Sequence, residues 1–85
     1  MDKHTILGVH VTDRLKDALE VQKLLSEYGV NIRTRLGLHD SDGTNMQPAG
    51  VLILELVGSD EACQALADKL NAREGLEVQS MIFHH

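Results

Sequence analysis

Eighty-five residues read as one domain, residues 1–85, and a chain this short buries only roughly 60% of its unfolded surface on folding. Thirteen acidic residues against eight basic ones give a net charge of −5, with no basic run longer than two. That balance excludes a nucleic-acid-binding module acting by itself, because neutralising phosphates needs clustered Lys and Arg. One Tyr, one Phe and no Trp leave an aliphatic core of Leu, Val and Ile, and small domains with such light cores often gain stability by oligomerising.

Residues 4–12 read as a first strand, with Leu7, Val9 and Val11 on one face and Ile6, Gly8 and His10 on the other. Thr12 or Asp13 is placed to cap a helix running to about Tyr28. Its apolar stripe takes in Leu15, Ala18, Val21 or Gln22, Leu25 and Tyr28, widened by Leu19 and Leu24, and Gly29 suits the left-handed residue that ends it. Residues 30–39 alternate as a second strand. Val30, Ile32, Thr34, Leu36 and Leu38 face one way, and Asn31, Arg33, Arg35, Gly37 and His39 the other. Residues 40–45 are rich in turn formers, and Pro48 leads into the next element.

Val51-Leu52-Ile53-Leu54-Glu55-Leu56-Val57 is the most apolar stretch of the chain, too short to span a membrane and of a length for a central strand. Ser59 caps a second helix, with Asp60 and Glu61 in its first turn, where the helix dipole favours acids. Cys63, Leu66, Ala67 and Leu70 form its stripe, Gly75 ends it, and residues 76–83 alternate as a final strand.

The order βαββαβ points to a ferredoxin-like α+β fold: a four-stranded antiparallel sheet with two helices on one face. The first and third strands are expected in the centre. Two helices can cover only one face, so the other carries Ile6, Gly8, His10, Val51, Ile53, Glu55 and Val57, with Arg33, Arg35, Gln79, Met81 and Phe83 from the edges. An exposed apolar face of this extent marks a partner surface. We expect self-association through this open face, at Ile6, His10, Val51, Ile53, Glu55, Met81 and Phe83, or through the strand edges, and an ion pair between Glu55 and Arg33 or Arg35.

Five histidines invite a metal reading, but none has ligand spacing paired with cysteine, so no metal is expected. The single Cys63 lies on the helix stripe as a core residue, excludes an internal disulfide and fits a reducing, cytoplasmic setting. No nucleophile elbow, phosphate loop or dinucleotide fingerprint is present, and no cofactor or catalysis is expected.

Val11-Thr12-Asp13-Arg14-Leu15 resembles the start of an ACT domain, although Leu15-Lys16 stands where a glycine usually follows the Asp-Arg pair. Nearly the whole chain resembles a small ACT-like family, the iron-only hydrogenase system regulators. The likeness is carried by that turn, Leu24-Leu25-Ser26-Glu27-Tyr28-Gly29, Arg33-Thr34-Arg35-Leu36-Gly37-Leu38, the apolar third strand and Leu70-Asn71-Ala72-Arg73-Glu74-Gly75-Leu76-Glu77-Val78. It is also similar to the C-terminal domain of nickel-responsive regulators, whose set of nickel ligands is not matched here.

The resemblance implies a homo-oligomeric (dimeric or tetrameric) regulatory domain with a small-molecule effector between subunits and no membrane or direct nucleic-acid partner. Asp13 and Arg14 would line the strand-to-helix loop, and Arg33 and Arg35 would bind an anionic group. A ligand-free interaction module and a small enzyme with an interface pocket are the rival readings.

Overall fold

The computed structural model describes residues 3–12, 15–39 and 50–84. In chain order it contains β1 (Lys3–Val11), α1 (Ala18–Glu27), a 3-10 turn (Gly29–Asn31), β2 (Ile32–His39), β3 (Gly50–Leu56), α2 (Asp60–Asn71) and β4 (Leu76–His84). The sheet order is β2-β3-β1-β4, antiparallel throughout, so the first and third strands are central as the hydrophobic pattern requires. The fold is the expected ferredoxin-like, ACT-like α+β arrangement.

Alternation along the strands sorts residues to two faces. Leu7 and Val9 of β1, Leu54 and Leu56 of β3 and Leu76 of β4 point to the helices. There they meet Val21, Leu24 and Leu25 of α1 and Cys63, Leu66 and Leu70 of α2. All are aliphatic except Cys63, and Leu54, Leu66, Leu70 and Val9 have no exposed surface. Burial pushes the Cys63 thiol above its ordinary pKa, with the nearby Asp60 carboxylate adding to the shift, and its Sγ lies 3.7 Å from the Val57 carbonyl oxygen. It is a packed, unreactive core residue.

The second helix begins as its sequence dictates: Ser59 Oγ accepts from the Ala62 amide at 3.1 Å, with Asp60 and Glu61 in the first turn. The first helix begins later than expected. Its cap is Asp17, whose Oδ1 accepts from the Glu20 amide at 3.2 Å. Thr12 serves elsewhere, its amide and its hydroxyl both donating to the Gly75 carbonyl at 2.9 and 2.8 Å, which ties the end of β1 to the start of β4. Starting the helix at Ala18 also removes Leu19 from the apolar stripe, and it is 74% exposed.

Gly29 is not left-handed. The chain continues right-handed into the 3-10 turn, where the Asn31 amide donates to the Tyr28 carbonyl at 2.8 Å. The backbone does require glycine at Gly75, after α2 as expected, with φ of +92°, and at Gly58, with φ of +102° and the Asn31 side-chain amide pressed against the space a Cβ would fill. Asn31 also donates to the Val57 carbonyl and accepts from its amide, which clamps the exit of β3 to the entry of β2.

One irregularity matters for function. Ile32 pairs with Leu56 but Thr34 pairs with Glu55, so Arg33 is an extra residue, a β-bulge. A one-residue slip exchanges the faces of everything beyond it. Thr34 and Leu36 therefore stand beside Glu55 and Ile53 on the open face, and Arg35 turns to the helix side beside Leu54. The expectation that Arg33 and Arg35 share the open face is corrected by this bulge.

Candidate functional site

Two surfaces offer themselves. On the open face, cross-strand register aligns Leu36, Ile53, Gly8 and Gln79 in one row and Thr34, Glu55, Ile6 and Met81 in the next. His10 lies between Val51 and Glu77, and His4 beside Phe83. Leu36, Met81 and Phe83 are each at least half exposed, and Val51 is 37% exposed. Ile6 and Ile53 are half-buried at the centre. Ile6, His10, Val51, Ile53, Glu55, Met81 and Phe83 thus occupy one continuous surface, apolar in the middle, with its charges held in pairs.

Those pairs differ from the expected one. Glu55 Oε1 accepts from Thr34 Oγ1 at 3.0 Å, and His4 Nδ1 lies 3.2 Å from Glu55 Oε2. The Thr34 hydrogen bond, then the His4 contact, hold the Glu55 carboxyl below its ordinary pKa against a smaller opposing effect of burial, and the positive charge of Arg33 adds to the lowering. An arginine salt bridge is not what holds this carboxylate. Arg35 cannot serve, being on the other face. A second pair, His10 Nδ1 and Glu77 Oε1 at 3.5 Å, sits at the far side.

The other surface is a cleft of about 390 Å³ where α1 passes over the ends of β2 and β3. Leu15, Val21 and Leu52 give it an apolar lining, and Gly37 leaves the floor open beside β3. Arg35 stands in this cleft and donates from a guanidinium nitrogen to Gln22 Oε1 at 3.1 Å. The volume falls within the range of small-ligand sites, and a cation and an amide in an apolar lining suit a small anion with an apolar body. Gln22 has no signature in the sequence beyond its helix position, and Arg35 reaches the cleft because the bulge places it on the helix side.

Asp13 and Arg14, the turn-rich residues 40–45 and Pro48 lie outside the described residues. Among the described residues no group of three His, Cys, Asp or Glu is placed to hold a metal ion. No helix of the described residues is long and apolar enough to cross a membrane.

No protein-family model matches the chain, and no curated protein matches it. Solved structures do. An uncharacterized protein of Thermotoga maritima, TM1266, is 25% identical, with 96% of this chain and 99% of that one covered and a TM-score of 0.78. The C-terminal domain of the MgtC protein from Mycobacterium tuberculosis is 13% identical, covering all of this chain and 90% of that one, with a TM-score of 0.60. The regulatory subunit of aspartate kinase from Thermus flavus is 16% identical over 96% of this chain and 56% of that one, with a TM-score of 0.51. The fold is thus shared with domains that include a regulatory subunit.

Proposed function

We propose that the chain is a regulatory domain that senses a small anionic effector, works as a homo-oligomer and catalyses no reaction. The observation that carries the sensing role is the cleft under α1, with Arg35 and Gln22 as its polar groups and an aliphatic lining. The regulatory subunit among the neighbouring folds supports the role. The sequence resemblance connects it with the iron-only hydrogenase system and a cytoplasmic setting. In this reading residues 1–85 act as one domain. Arg35 binds the anionic group, and Asp13 and Arg14 of the strand-to-helix turn lie next in the chain to the lining residue Leu15. Arg33 acts from the bulge, through the field it exerts on Glu55.

A ligand selective for the native state raises its melting temperature. Screening amino acids, other small carboxylates, nucleotides and divalent metals by thermal shift is therefore the test. At about 100 times Kd the stabilisation is about 2.7 kcal/mol, a rise of many degrees for a domain of this size. We expect such a rise with a small anion, lost in Arg35→Ala. Absence of a shift across the whole panel contradicts sensing. The second reading, a ligand-free interaction module, is favoured by the exposed Leu36, Met81 and Phe83 and would survive that result.

A further inference from the structure

Gly8 lies in the middle of β1, a central strand, and nothing among the described residues calls for a glycine there. It is not among the glycines with positive φ. The register of β1 with both neighbours runs without a bulge through it. A Cβ built on Gly8 would meet only the Gln79 carbonyl oxygen, at 4.0 Å, an ordinary contact. A glycine inside a strand that is neither bulged nor left-handed marks a place where another group approaches the backbone closely. Its neighbours on the open face are Ile6, His10, Ile53 and Gln79, so it forms a shallow hollow in a largely apolar surface.

We propose that this hollow is a socket for Ile53 of a second copy of the chain. Gly8 and Ile53 are direct cross-strand partners, a hollow and a knob side by side on one face. A two-fold axis lying along the strands between β1 and β3 brings each copy's Ile53 over the other's Gly8. This is the self-complementary arrangement that a symmetric interface requires.

The polar group nearest the centre is ready for burial. Both Glu55 oxygens are engaged within the chain, by Thr34 and by His4. Four strands about 4.8 Å apart and about seven residues long at about 3.3 Å per residue give a footprint near 440 Å² per copy. The pair then covers on the order of 900 Å² in projection, more with side-chain relief, which is the size of a weak, reversible contact below the roughly 1,200 Å² of standard stable interfaces. The dimer forms in the micromolar range. The inference rests on the homo-oligomer reading above and adds the residues that make the contact.

The test is sedimentation velocity on the full chain over a concentration series, with far-UV circular dichroism to confirm folding. The wild type should dimerise. Gly8→Val, which keeps a strand-favouring residue, and Ile53→Ala should each weaken association by about tenfold or more, since either fills the socket or removes its occupant. An equimolar mixture of the two variants should recover association, because one native contact is kept and the added valine faces a shortened side chain. A monomeric wild type at all concentrations overturns both the homo-oligomer reading and the socket. A dimeric wild type with unaffected variants, or weakened variants without recovery on mixing, overturns the socket alone. Should Gly8→Val not fold, Gly8→Ala mixed with Ile53→Ala gives the same readings.

Discussion

The two faces of the sheet come from the same four strands by simple alternation, yet they obey different rules. Under the helices, Leu54, Leu66 and Leu70 are wholly enclosed and the buried positions are aliphatic apart from Cys63 and Thr5. On the open face Ile6 and Ile53 sit half-covered, Leu36, Met81 and Phe83 are exposed, and two histidine–carboxylate pairs frame the apolar centre. The covered face is what lets an 85-residue chain fold. The open face contributes little to the single chain, and its composition makes sense as a contact surface. A residue's energetic role here follows from which face it occupies, and hydrophobicity by itself does not reveal that.

The largest expected contrast lies within β3. Leu54→Ala removes a fully enclosed side chain and should cost about 2–5 kcal/mol in urea denaturation, whereas Val51→Ala, in the same strand but on the open face, should cost well under 1 kcal/mol at concentrations where the chain is monomeric. Equal losses would break the distinction between the faces. Next in size is Ser59→Ala, expected to cost about 1 kcal/mol by freeing the first-turn amides of α2, the helix that roofs the covered face.

Gly8→Ala reverses the sign. With room above it and an ordinary backbone, the added methyl should stabilise the monomer by about 0.5–1 kcal/mol while association weakens. A substitution that harmed both would mean that the glycine serves the fold.

The smallest effect is electrostatic. Glu55 has a lowered pKa in the folded chain, so its contribution is present above the ordinary carboxylate value of about 4.3 and is lost as pH falls through the lowered value. Glu55→Gln should therefore flatten the acid limb of the stability profile below the ordinary carboxylate range, and Thr34→Val should do so in part, as acid titrations followed by circular dichroism will show. An unchanged limb in both variants would remove Thr34 and His4 as the groups that hold this carboxylate.

Much of this was legible in the residues themselves. The turn chemistry at Ser59 and the apolar run from Val51 gave the element order, the central place of β3 and one uncovered face. Leu7, Val9, Leu54 and Leu56 fell where period-two alternation puts them. What was not legible was the bulge. Residues 30–39 alternate without a break, and a slip of one position leaves such a pattern intact while moving Arg35 to the helices and Leu36 to the open side. The pairing of Thr34 with Glu55 and the place of Arg35 in the cleft depend on that slip, so both stayed hidden. The start of α1 was misplaced for a related reason: Thr12, Asp13 and Asp17 are all good caps by type, and only the hydrogen bonds of Thr12 to Gly75 show that it is already committed. The cleft and the Gly8 hollow lie on opposite faces, so the proposed sensing and the proposed assembly are separately addressable by substitution.

The most direct test of the account is the mass of the unaltered chain in solution, by analytical ultracentrifugation from about 1 to 200 μM, the range that a weak, reversible interface implies. A rise from the 9.4 kDa monomer toward twice that mass, abolished in Gly8→Val without loss of fold, is the predicted result. A constant 9.4 kDa across the whole range would contradict it.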